Sequence, residues 1–176
     1  MKENSSSFTA YSKLIKNIDK ISESLSENHQ SHMKCHKGCD LCCMNYDILP
    51  LEFHYILEHL KKEGYKENLL SNTEKDEECV FLNNHTCTIY NNRPLICRTH
   101  GLPLLYTNDD YEWELSTCEL NFTTYDYENF SPENTFPQDK FNSRLFMLNQ
   151  KFIAQYKGKK YGERERIPLR NPTEHL

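Results

Sequence analysis

The chain has 176 residues, a formal net charge of −5 and charged residues at 27%. Hydrophobic residues reach only 37% and mean hydropathy is −0.82. Ala occurs only at Ala10 and Ala154, which argues against an alanine-rich bundle or coiled coil. One Trp, 11 Tyr and 9 Phe still supply large buried areas, so a modest core is expected rather than disorder. No run approaches the ~18 apolar residues of a membrane span, and MKENSSSFTAYSKL lacks the apolar stretch of a signal peptide. The expectation is a cytoplasmic protein without a membrane partner. The net acidity argues against nucleic acid as a partner too.

In chain order, Phe8, Tyr11, Leu14, Ile15, Ile18, Ile21 and Leu25 recur at helical spacing, which predicts a core-docking helix over 8–25. The polar stretch 28–34 leads into CHKGCDLCC, a loop too crowded with Cys for a regular amphipathic element. Pro50 suits the first turn of a second helix with Phe53, Ile56, Leu57 and Leu60 on its apolar side and Gly64 as its C-cap. Residues 66–78 read as an acidic connection. CVFL (79–82) and CTIY (87–90) read as short β-runs with NNH as their turn, and Pro94 opens a helical turn carrying Cys97 and Arg98.

LPLLY (102–106) and YEWEL (111–115) predict a β-hairpin, and 119–137 reads as an irregular loop. The last helix is placed at 138–156 on Phe141, Leu145, Leu148 and Phe152, with Gly158 at its end. The tail 159–176 reads as mostly polar, and the basic run 157–166, interrupted by acids, as a solvated face. The fold class is therefore α+β: a mainly helical small domain with short β-hairpins around a loop-rich Cys centre. Within that one domain, 1–34 is helix and lead-in, 35–120 the Cys-rich region, and 121–176 loop, C-terminal helix and tail.

The chemistry lies in eight cysteines: Cys35, Cys39, Cys42, Cys43, Cys79, Cys87, Cys97 and Cys118. In a reducing compartment, clustered Cys bind metal more often than they form disulfides. Thiolates three or four residues apart converge on one ion when the backbone turns between them, and Gly38 suits such a turn by accepting positive φ. All eight are candidate metal ligands, although Cys79 and Cys118 also suit a role as small buried hydrophobes. One tetrahedral ion takes four thiolates, so eight imply two sites, a binuclear centre, or one cluster with Cys left over. Adjacent Cys42 and Cys43 point in different directions in most conformations, which favours two metals or one ligand beside one packing residue.

So many thiolates need cations and hydrogen-bond donors nearby. Lys34, Lys37, Arg93 and Arg98 flank the Cys, and Arg93 and Arg98 are the candidate cofactor-binding residues. His36, His85 and His100, each within three residues of a Cys, are candidate substitute ligands.

CHKGCDLCC, then Cys79-Val80-Phe81-Leu82, Cys87-Thr88-Ile89-Tyr90, Arg93-Pro94 and Cys97-Arg98, resembles the YkgJ-like cysteine-cluster family, also called the CxxCxxCC zinc- or iron-chelating domain family. The resemblance spans roughly 35–120. The first spacing here is x3 where the family name has x2, and Cys118 takes the eighth position by order alone. The resemblance implies metal or iron–sulfur binding without a settled reaction.

Two functions compete. In the first, Cys sites hold zinc, iron or an iron–sulfur cluster and support the fold, with metal ions as partners and any protein partner unassigned. In the second, the chain is an iron-dependent redox or protein-modifying enzyme, with Tyr90, His100, Tyr106 and Trp113 near the motif. Thiolates alone suit zinc and iron equally. Eight ligands, an adjacent Cys pair and flanking Arg favour iron or an iron–sulfur cluster, with zinc as the alternative. No G-x-S-x-G, P-loop or G-x-G-x-x-G motif is present.

Overall fold

The computed structural model describes residues 5–64, 78–170 and 172. The acidic connection expected at 66–78 lies outside these, apart from Glu78. The longest helices follow the apolar periodicities: α1 (Ser5–Asn28), α2 (Pro50–Lys62) and α4 (Gln138–Gln155). A short α3 (Leu95–Thr99) begins directly after Pro94. The strands are brief: β1 (Asp47–Ile48), β2 (Leu82–Asn83), β3 (Thr86–Cys87), β4 (Leu104–Thr107), β5 (Trp113–Ser116), β6 (Phe136–Pro137) and β7 (Ile167–Pro168). They form β1–β7, β2–β3 and a sheet of order β5-β4-β6. Helices with short strands in small sheets make this an α+β fold, as the residue patterns indicate.

α2 sits between two apolar cores, which explains its richness in buried residues. On one side Leu51 and Tyr55 join Tyr11, Leu14, Ile15 and Ile18 of α1 and Phe141, Leu145 and Phe152 of α4. On the other, Phe53, Ile56, Leu57 and Leu60 meet Ile48, Phe81, Ile89, Ile167 and Leu169. Cys79, Cys87 and Tyr46 pack partly buried against this second core, which backs the Cys-rich region.

Buried polar groups lock α2 in place. The Leu51 N–H, one of the donors a helix start leaves without an intrahelical partner, donates to Asn149 Oδ1 on α4 at 3.0 Å. The Glu52 carboxylate, 3% exposed, accepts from Tyr11 Oη at 3.1 Å, from Leu95 N at 2.9 Å and from Leu49 N at 3.4 Å. Glu52 thereby ties α1 and α2 to the first turn of α3. Burial outweighs these donors and raises its pKa.

Four expectations change. The loop at 119–137 contains a 3₁₀ turn at Tyr127–Asn129 and ends in β6, which pairs parallel with β4. Two residues ending in Pro are too short to show a period. The polar tail hides an apolar anchor: Ile167 and Leu169 are buried, and β7 pairs antiparallel with β1. The run 157–166 is mostly exposed, in line with a solvated face. The β-runs at 79–82 and 87–90 shrink to Leu82–Asn83 and Thr86–Cys87, because turns at 80–81 and 88–89 bound the hairpin. α4 covers Gln138–Gln155 against the expected 138–156, and Gly64 follows the C-cap of α2 with φ +65°. Among the described residues no helix is long and apolar enough to cross a membrane.

Candidate metal centre

The first four Cys lie on two consecutive turns. Cys39 N donates to His36 O at 3.0 Å, with Gly38 at φ +97° as expected. Cys43 N then donates to Asp40 O at 2.8 Å. These turns replace regular structure and leave Cys35 and Cys42 exposed, with Cys39 and Cys43 half-buried.

The later Cys are brought back to this loop by main-chain pairing. Met44 bridges Glu78, and Cys79 N donates to Cys43 O at 3.2 Å. Cys87 pairs across the β2–β3 hairpin with Leu82. The turn of this hairpin, Asn84 and His85, has positive φ at both residues, as tight hairpin turns require. His85 Nδ1 lies 2.7 Å from Asp40 Oδ2 and fastens that turn to the first Cys loop. Cys97 rides on α3, held from below by Glu52.

Cys118 returns after β5, and Asn121 fastens its segment. Asn121, 3% exposed, donates through Nδ2 to Cys35 Sγ at 3.3 Å and to Gly101 O at 2.8 Å. Its Oδ1 accepts from Lys34 N at 2.7 Å, and its own N–H reaches Cys118 O at 2.9 Å. Gly101 adopts φ +88°, and a Cβ there would stand 2.5 Å from Cys35 Sγ, so only glycine fits.

Electrostatics separate two neighbourhoods. Burial raises the Cys35 pKa, an Asn121 hydrogen bond opposes it, and Cys118, Cys39 and Cys42 repel a Cys35 thiolate. A Cys42 hydrogen bond lowers the Cys43 pKa, while Cys79, Cys87 and Cys97 repel that thiolate. Burial drives up the pKa of Cys97, with Cys79 and Cys87 adding to it, and burial likewise raises Cys79 and Cys87. Cys35 thus has Cys39, Cys42 and Cys118 as electrostatic neighbours and Cys43 has Cys79, Cys87 and Cys97, while Cys42 also acts on Cys97. The two neighbourhoods meet at the Cys42–Cys43 contact, where donating its hydrogen bond raises the Cys42 pKa. Tyr46 is pushed up to about 12 by burial and by Cys97, Cys42, Cys43 and Cys79, which places it at the same junction.

Six of the thiols, those of Cys35, Cys39, Cys42, Cys43, Cys87 and Cys97, line one cavity of about 550 Å³. All eight are free thiols. Among the described residues, no three Cys, His, Asp or Glu side chains are already grouped to hold an ion. The donor chemistry nonetheless fits zinc or iron, since thiolate is the preferred ligand of both zinc and iron–sulfur centres. The raised pKa values mean that binding must expel protons.

The flanking cations occupy defined places. Arg98, 5% exposed, clamps both Asp19 oxygens at 2.6 and 2.7 Å and donates to Asn91 O and Arg93 O. Arg93 stacks 3.8 Å from the Tyr90 ring centroid and donates to Tyr90 O and Cys97 O. Both guanidinium groups therefore brace the backbone around Cys97. Lys34 and Lys37 are exposed. His36 Nδ1 lies 2.8 Å from Lys34 O. His100 stacks on Tyr46 at 5.3 Å, and its buried Nε2 has no hydrogen-bond partner among the described residues. His36, His85 and His100 all line the cavity that holds six of the thiols. Asn121, Gly101 and Glu52 were not singled out from sequence, because each acts across more than 15 positions in the chain.

No curated protein and no solved structure matches the chain. A family model does match, over residues 34–119, and this span holds all eight Cys. Residues 34–119 are thus similar to the CxxCxxCC family, described as "Putative zinc- or iron-chelating domain".

Proposed function

We propose that the chain chelates metal through two four-thiolate sets, Cys35/Cys39/Cys42/Cys118 and Cys43/Cys79/Cys87/Cys97, joined at Cys42–Cys43. The observation that supports this reading is that Cys118, Cys39 and Cys42 act on Cys35 while Cys79, Cys87 and Cys97 act on Cys43. Four thiolates are the complement of a closed tetrahedral zinc site and of an iron–sulfur cluster alike. A bound metal would supply the cross-link that turns of two or three residues lack. Arg93, Arg98 and Asn121 would hold the thiolate-bearing backbone in register, and Asn121 would donate directly to sulfur.

The cavity of about 550 Å³ above six of the thiols supports iron–sulfur or iron over zinc, since it leaves room for inorganic sulfide beside the ligands. Purification without oxygen, followed by metal analysis and a visible spectrum, tests both levels. Bound iron with sulfur-to-iron charge-transfer absorption is the expected result. Colourless protein carrying zinc would move the assignment to zinc. Protein that retains neither metal and takes up neither under reducing conditions would overturn chelation.

A further inference from the structure

Away from the thiols, residues 99–139 hold nine Asp and Glu and no Lys or Arg. Within this stretch an apolar groove of about 310 Å³ runs between the β4–β5 hairpin and the 3₁₀ turn, lined by Leu105, Trp113, Leu115, Tyr127, Phe130 and Pro132. Trp113 is 73% exposed although it is the only Trp of the chain. Leu105 pairs with Leu115 and Thr107 with Trp113, so these side chains share the sheet face that forms the groove. β5 is also the terminal strand of its sheet, and its outer edge has no ladder partner among the described residues.

Exposed sheet edges are ordinarily blunted, often by Lys on the strand, because they recruit other chains. Here the edge carries Trp113 and Leu115, and the charges beside it are all negative. Asp109, Asp110 and Glu112 precede β5, while Asp126, Glu128 and Glu133 flank the opposite wall. None of these six carboxylates has an ion-pair partner among the described residues. An apolar slot with a negative rim and an open strand edge selects an extended segment with alternating apolar and cationic side chains.

We propose that this groove docks an extended lysine- or arginine-rich segment of a partner protein. The segment pairs with the outer edge of β5, seats its apolar side chains against Trp113 and Leu115, and presents its cations to the acidic rim. The same rim repels phosphate backbones, which sets this surface apart from a nucleic-acid site.

Trp113 supplies its own readout. The full-length protein, as purified, is titrated with a peptide of alternating lysine and valine and with its glutamate–valine counterpart, following the Trp emission. The expected result is a saturable blue shift with the basic peptide alone, weakened about tenfold or more when salt is raised from low to high. The double variant Glu112→Lys/Glu128→Lys is expected to weaken binding about tenfold with an unchanged far-ultraviolet circular dichroism spectrum. If that variant misfolds, the salt series on the native chain decides the matter. No shift, or an equal shift with both peptides, overturns the proposal. A blue shift that appears when the protein alone is concentrated also overturns it, because the groove would then seat the basic run 157–166 of a second copy.

Discussion

The two sides of α2 are built on different principles. The side facing α1 and α4 is helical, with long elements and side chains such as Ile18 and Phe141 fully buried. The side carrying the thiols consists of turns, two-residue strands and one short helix, and Cys35 and Cys42 on it are exposed. Apolar burial contributes about 25 cal/mol per Å², so long helices with continuous apolar faces stabilise themselves. The short turns that carry the thiols rest on the second core through Phe81 and Ile89, and under the proposed function bound metal adds a cross-link to them. The contrast sets a long-helix core beside a region whose proposed support is ligand chemistry.

The largest expected effect tests that division directly. Withdrawing metal with a chelator under reducing conditions should speed amide exchange in 35–43 and 79–97 about a thousandfold or more, given the free energies structural metals supply. The protected amides of α1 and α4 should change little. Equal loss of protection on both sides would erase the contrast.

A change in the packed region should do the reverse. Phe141 is 0% exposed in the core between α1 and α4, and Phe141→Ala should cost about 3–5 kcal/mol in denaturant unfolding. The folded variant should keep its full metal content. Glu52 links the two regions, and Glu52→Ala, which leaves Leu95 N without its acceptor, should cost about 1–3 kcal/mol. Its pH dependence has a definite sign. Because burial raises the Glu52 pKa, the folded chain holds this proton more tightly than the unfolded chain. The stability this contributes is present at low pH and is lost as pH rises through the folded pKa. Glu52→Gln lacks that term, so wild type should lose stability relative to it over that rise, as unfolding curves at stepped pH would show.

The smallest effect concerns Asn121. Asn121→Ala removes the donor to Cys35 Sγ and should weaken metal binding about 10- to 100-fold in a competition titration. The packed helices should melt as before.

The helices and the β4–β5 hairpin were legible because each has a period. Tyr11, Leu14 and Ile18 advance by three and four, and Phe141, Leu145, Leu148 and Phe152 do the same on α4. The eight Cys and the motif from Cys79 to Arg98 were legible as chemistry and as a family signature. The proposed division of the thiols was not, because only the fold pairs Cys79 N with Cys43 O and so distinguishes Cys43 from its neighbour Cys42. Asn121, Gly101 and Glu52 were hidden for a related reason. An isolated polar residue carries no period, and its partners are set by the fold. The strand at Ile167 was hidden by its length and its polar surroundings.

Two four-thiol sets should respond separately to substitution, and paired Cys variants measure this most directly. Metal per chain is measured after oxygen-free purification for wild type, Cys118→Ser, Cys79→Ser and the double variant. Each single variant should lose about half of the metal, retaining the other set, and the double variant nearly all of it. A single variant that loses everything would mean one shared centre, and single variants that lose nothing would remove Cys118 and Cys79 from the ligands; either result would contradict the division proposed here.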